Sequence, residues 1–222
     1  MNIVILPETM KNPITVIGRN IGICYGSDIS NDTQNYNRGL NSINAGHGRV
    51  LEFAEIYMAI SGVSARTIRQ WYTHIGGSPT RVQESTRYIN YADFKAVIPP
   101  AIERNPDAKK IYLECLDNDR TAYKALRELG ITKEDAAMLA PLGMETGICC
   151  MHNCRNIMDM SAQRKCTRAY WEYRDIMSLL EKELRAYSEE WNTLCDTIFK
   201  CKCDKVGFCL EEYSCGKYPK ID

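Results

Sequence analysis

The segment from Gln70 to Tyr88 holds the densest set of groups able to do chemistry: Gln70, His74, Arg81, Gln83, Ser85 and Arg87, with several hydroxyl residues between them. Gly76, Gly77 and Pro79 make His74–Thr80 a loop following a helix. Such a loop offers backbone N–H groups and guanidinium forks to a phosphate. On composition alone, a solvated turn with ordinary surface arginines is the plainer reading. The chain has three histidines, His47, His74 and His152, too few for a multi-histidine hydrolytic metal site. It has no G-x-G-x-x-G after a strand, no phosphate loop ending in Gly-Lys-Ser or Gly-Lys-Thr, and no histidine pair at zinc-protease spacing.

Eleven cysteines in 222 residues are many. The odd count argues against a closed disulfide framework. Met1–Pro13 shows no basic region followed by an apolar core, so a cytoplasmic protein with reduced, mostly buried thiols is expected. Cys201, Cys203, Cys209 and Cys215 suffice in number for a tetrahedral zinc site but lack a paired C-x-x-C. Cys149, Cys150, His152 and Cys154 form a second cluster, on or beside a helix. A cysteine-rich, zinc-binding interaction protein is therefore the alternative of another class. The formal net charge of zero argues against general nucleic-acid binding. The absence of a run of about eighteen apolar residues argues against a membrane span.

These groups need elements to position them. Ile3–Leu6 and Thr15–Ile17 read as short strands, bounded by Pro7, Pro13 and Gly18. Ser27–Ser42 reads as loop or frayed helix. Leu51–Ile60 alternates in part and reads as a strand, broken by Gly62. Ser64 caps a helix from Ala65 to about Tyr72. Tyr88–Ile98 has strand character as far as Pro99-Pro100. Pro100–Arg104 and Ile111–Leu129 read as helices, and Thr132 caps another that Pro141 ends. Cys150–Leu184 reads as one or two long helices, and the tail from Lys200 as irregular. No linker divides the chain, so one domain over 1–222 with a cysteine-rich tail over 200–222 is expected.

Three blocks, in order, give the chain a resemblance. Gln70, His74, Ser85, Arg87 and Tyr88 keep the frame of Q-x-x-R-H-R-x-x-S-x-N-E-x-S-x-R-Y. Leu51-Glu52-Phe53-Ala54 and Gly62-Val63-Ser64 precede it as L-E-H-A and G-V-S do. Asn153-Cys154-Arg155-Asn156-Ile157-Met158-Asp159, Gln163-Arg164 and Ala169-Tyr170-Trp171-Glu172 are similar to N-A-R-S-L-x-N-x-x-x-L-R and A-Q-W-E. Ala140-Pro141-Leu142 matches L-P-L, and Ser214-Cys215-Gly216-Lys217 is like a C-G-R ending. The chain thus resembles the flavin-dependent thymidylate synthases, the ThyX family.

The resemblance implies an α+β fold, with a central, mainly antiparallel sheet, flanking helices and a long helical C-terminal half. It implies reductive methylation of dUMP to dTMP with 5,10-methylenetetrahydrofolate, FAD and NADPH, in a homotetramer whose active sites lie between subunits. It places Glu52, His74, Asn153, Arg155 and Asp159 at FAD. It places Gln70, Arg81, Gln83, Ser85 and Arg87 at the nucleotide. Arg164 would act catalytically at the pyrimidine carbonyl, where a fixed cation stabilises developing charge. On a helix Asn153, Met160 and Arg164 share one face while Arg155 and Asp159 take another, so one helix would feed two surfaces.

The chain also departs from the pattern. Thr73 and Ile75 stand where R-H-R has arginines, and the loop from His74 to Ser85 is longer. Arg81 is the candidate to restore one lost guanidinium. Gln83 or Glu84 takes the place of the Glu before the serine. Asp159, Gln163, Arg168 and Ala137 replace Asn, Leu, His and Arg. These changes motivate an alternative within the family: hydroxymethylation of a pyrimidine nucleotide, or action on dCMP.

Overall fold

A computed structural model describes residues 1–220; the last two residues of the cysteine-rich tail lie outside the described residues. Strands β1 (Asn2–Ile5), β2 (Glu55–Ser64), β3 (Thr80–Gln83) and β4 (Glu145–Asn153) form one antiparallel sheet in the order β1-β2-β4-β3. The helices are α1 (Pro13–Gly22), α2 (Asp32–Asn44), α3 (Ala65–Trp71), α4 (Pro100–Glu103), α5 (Pro106–Glu128), α6 (Lys133–Ala136), α7 (Cys154–Arg164), α8 (Trp171–Tyr187), α9 (Glu189–Ile198) and α10 (Lys202–Val206). This is the α+β class that the resemblance implies. The chain packs as two compact units whose boundaries fall inside β2, β3 and β4.

The first unit holds Ile60–Thr73 and Val82–Ile148. Its core is Tyr91, Phe94, Leu116, Tyr123, Ala136, Ala137 and Met144. Arg120 on α5 donates to the Phe94 carbonyl from Nε and Nη2, at 3.0 and 2.8 Å, and lies over the same ring. Ser64 caps α3 as expected, its Oγ accepting from the Thr67 N–H at 3.2 Å. Thr132 caps α6 in the same way. Tyr88–Ile98 is not a strand. An Asx turn at Asn90 bends it, and among the described residues it pairs at an Ala96–Met144 bridge.

The second unit holds Asn2–Ala59, His74–Arg81 and the chain from Cys149 on. Thr15–Ile17 is helix rather than strand. Pro13 opens α1 at a position where its missing N–H costs nothing. Gly18 lies inside α1 where α2 crosses: a Cβ there would come within 1.7 Å of the Asn35 carbonyl oxygen. Ser27–Ser42 is an ordered helix from Asp32 on, capped by Asn31 Oδ1, which accepts from the Gln34 N–H at 3.0 Å. The expected strand over Leu51–Ile60 starts later. A short 3₁₀ turn fills Gly48–Phe53, and β2 then buries Ile56, Met58 and Ile60 on one face. Gly62 does not break β2 but sits within it at φ 67°. The expected helix over Cys150–Leu184 is preceded by β4, whose last residue, Asn153, turns the chain into α7. Lys202–Val206 adds a short helix to the tail. Among the described residues no helix is long and apolar enough to cross a membrane.

Candidate functional site

Both ends of α7 hold the loop that follows α3. At its start, the Asn153 side chain does two jobs. Oδ1 accepts from the Asn156 N–H at 2.9 Å, capping the helix, and Nδ2 donates to the Gly77 carbonyl at 3.2 Å. Gly77 has φ 74°, and a Cβ there would stand 2.4 Å from Asn153 Nδ2. Only glycine meets both demands. At the end of α7, Arg164 Nε donates to His74 Nε2 at 3.0 Å. The Arg164 guanidinium also lies over the Tyr173 ring, 4.9 Å from its centroid, and His74 meets that ring edge-on at 6.0 Å. Arg81 Nη1 donates to the His74 carbonyl at 3.2 Å.

Burial, with the nearby Arg164 and then Arg81 charges, pushes the His74 pKa down to about 4. The ring is therefore neutral near neutral pH. Because Nε2 accepts from Arg164, its single proton sits on Nδ1, which has no protein acceptor among the described residues. Arg164 makes no other hydrogen bond and no ion pair among the described residues, so its outer N–H groups face no carboxylate. Buried His152, against Asn156 Oδ1, is likewise pushed down to about 4, chiefly by burial. Burial raises the Tyr173 phenol far above its usual range. The result is a neutral imidazole bonded to one guanidinium, with a second anchored on its backbone carbonyl, a setting able to offer a proton donor and positive charge to an electron-rich planar ligand.

On another face of α7, Arg155 Nε and Asp159 Oδ2 pair at 3.4 Å. The Arg155 guanidinium lies against Gly48, on the 3₁₀ turn that carries exposed Glu52. Asn153 and Arg164 thus serve one side of α7, and Arg155 and Asp159 another.

The remaining expected residues lie in the first unit. Gln70 on α3 has a buried Oε1 with no partner. Gln83 Nε2 donates to Thr146 Oγ1 at 3.3 Å. Ser85 Oγ accepts from the Arg87 N–H at 3.3 Å, while exposed Arg87 Nε pairs with Glu134 at 2.5 Å. Sequence reasoning did not single out Tyr173 or Asn156. Tyr173 stands beyond the matched A-Q-W-E block, and no spacing rule ties it to Arg164 before α7 and α8 are placed.

A cavity of about 410 Å³ opens beside Arg164, lined also by Arg168 and by Cys166, Cys201, Cys203, Cys209 and Cys215. Among the described residues no group of three or more His, Cys, Asp or Glu side chains is placed to hold a metal ion.

The solved ThyX of Helicobacter pylori, described as complexed with FAD and dUMP, has the same fold. Its TM-score is 0.71 at 18% identity, over 90% of this chain and all of that one. The architecture is therefore that of a flavin-dependent thymidylate synthase. Residues 6–188 match the model of the family described as Thymidylate synthase complementing protein. The flavin-dependent thymidylate synthase of Nitratidesulfovibrio vulgaris is 30% identical over 187 residues, covering 80% of this chain and 74% of that one. That of Clostridium tetani is 28% identical over 203 residues, covering 81% of each. The chain belongs to this family. Its tail beyond residue 188 lies outside the matched segment.

Proposed function

We propose that this chain reductively methylates dUMP to dTMP, with 5,10-methylenetetrahydrofolate as carbon donor, FAD as resident cofactor and NADPH as reductant, in the cytoplasm. The supporting observation is the Arg164–His74 pair: a cation without a carboxylate partner, hydrogen-bonded to a neutral histidine. FAD, when bound, supplies the hydride chemistry. The residues present suit such ligands, because Gln70 Oε1 is buried without a partner and His74 Nδ1–H has no acceptor among the described residues. Glu52, His74, Arg155 and Asp159 would hold the flavin. Asn153, engaged at both side-chain atoms, would serve it by fixing the Gly77 turn.

Arg164 would bind the pyrimidine carbonyl and stabilise the negative charge that develops on its oxygen when the ring is attacked, while His74, held neutral, orients the guanidinium through Nε. Arg81 supplies the second guanidinium, and Gln70 accepts an N–H of the ligand. Gln83, Ser85 and Arg87 grip the phosphate, Arg87 on leaving Glu134. The two surfaces of α7 support a homotetramer whose sites draw on more than one subunit, with the whole chain acting as one catalytic unit.

The purified protein is expected to be yellow and to oxidise NADPH faster when dUMP and the folate are added. Product mass separates a methyl gain from a hydroxymethyl gain. A colourless protein that takes up no FAD would sink this reading.

A further inference from the structure

Four of the five cysteines lining the cavity beside Arg164, namely Cys201, Cys203, Cys209 and Cys215, come from the tail beyond the family-matched segment. The fifth, Cys166, follows Arg164 by two positions. The tail is braced on itself through Asp204 and meets the facing wall of this cavity through Tyr213. Asp204 Oδ2 accepts the Cys201 N–H at 2.8 Å, and Asp204 Oδ1 takes Lys217 Nζ at 2.6 Å. The Arg168 guanidinium lies 5.5 Å from the centre of the Tyr213 ring.

The thiols are not equivalent. Cys215 is exposed, and the backbone N–H of Lys217 and then the Thr167 hydroxyl hold it below the ordinary thiol range. Cys201 is buried and pushed up to about 11, by burial and then by Asp204. The accessible nucleophile is therefore Cys215. Its neighbour Thr167 directly follows half-buried Cys166, and both thiols line the same cavity.

We propose that this cavity is an oxidant-responsive site, at which Cys215 reacts with a small-molecule disulfide and Cys166 then closes a Cys166–Cys215 bond that ties the tail across the approach to Arg164. In the first step the Cys215 thiolate attacks one sulfur of oxidised glutathione, forming a mixed disulfide and releasing one glutathione thiolate. In the second, the Cys166 thiolate attacks the Cys215 sulfur and releases the other. The two protein thiols lose two protons to solvent and two electrons to the glutathione disulfide. The consequence for turnover rests on the functional reading of Arg164; the chemistry of the thiols does not.

The test uses the full-length reduced protein, treated with oxidised glutathione, alkylated, digested and mapped by mass spectrometry. A Cys166–Cys215 crosslink is expected, reversed by dithiothreitol, absent in Cys215→Ser and retained in Cys201→Ser. No Cys166–Cys215 crosslink in the parent protein, or a first bond joining other cysteines, overturns the proposal. Melting curves of Cys215→Ser and Cys166→Ser show that each variant folds. Turnover of dUMP should fall in step with the crosslinked fraction, return on reduction, and resist oxidant in Cys215→Ser. Full turnover in crosslinked protein overturns the gating step. A reduced protein that never turns over dUMP overturns the functional reading instead, and the crosslink map still decides the thiol chemistry.

Discussion

Asn153 joins helix stability to the shape of the proposed flavin side, and substitutions separate its two jobs. Asn153→Ala removes the cap on α7, worth about 1 kcal/mol, and the bond to the Gly77 carbonyl, worth about another. The sum, about 2 kcal/mol, corresponds to a fall in Tm of roughly 4–8 °C for a chain of this size. Asn153→Ser keeps a capping oxygen but is too short to reach Gly77, so it should lose about half as much. Because Gly77 holds φ 74° against Asn153, both variants loosen the turn. FAD affinity should therefore fall in both by a similar factor, on the order of ten-fold for 1.4 kcal/mol of lost ordering. Differential scanning calorimetry gives the stability, and fluorescence titration of the apoprotein gives the affinity. Equal Tm values for the serine and alanine variants would refute the capping argument. A serine variant that binds FAD as tightly as the parent would show that the Gly77 turn does not shape the flavin side.

Two further outcomes follow from the same cluster. Arg164→Gln should lower kcat by about 10²–10³, the usual cost of losing a fixed charge at a developing oxyanion, with Tm nearly unchanged because no carboxylate is stranded; a kcat within a few-fold of the parent removes Arg164 from the chemistry. His74 and His152 both have folded pKa values near 4, below the unfolded value of 6.5. Between those values the unfolded chain binds protons that the folded chain refuses, so stability is fully present above about 6.5 and is lost as pH falls toward 4. Buried His152 accounts for at most about 3 kcal/mol of this, and half-buried His74 for less. His152→Gln should flatten the fall of Tm between pH 6.5 and 4.5, and an unchanged slope would contradict the assignment.

The sequence named the candidate site residues by their motif spacing, while several of the elements carrying them were misread. Ser64 and Thr132 were legible because a capping hydroxyl before a helix is a local signal. Thr15–Ile17 was not, because Pro13 and Gly18 look like strand boundaries until α2 is placed. Gly18 then proves to be there for helix contact rather than for a turn. The end of β4 was hidden because Met151–Asn153 lie in a long run without Gly or Pro, and the residue that ends the strand, Asn153, is itself a helix cap. Two jobs in one residue blur the boundary for any reading that scores positions singly. The pairing of His74 with Arg164 spans ninety positions, and only the fold brings the two together.

The substitutions flanking His74 acquire a physical sense from this geometry. With Thr73 and Ile75 as its neighbours, His74 gains no charge from adjacent side chains. Yet its imidazole is held neutral partly by Arg164 on α7 and Arg81 on β3. On the proposed role of the Arg164–His74 pair, what the site needs there is a fixed field and a defined tautomer, not arginines at particular positions in the chain. Arg81 reaches the His74 carbonyl because the loop between them carries Gly76, Gly77 and Pro79. On the proposal that Arg81 restores one lost guanidinium, the longer loop and the displaced cation are one change, not two. Shortening the loop without restoring an arginine beside His74 should cost more than either alteration predicts alone, since it removes both the Arg81 anchor on the His74 carbonyl and part of the positive field that lowers the imidazole pKa.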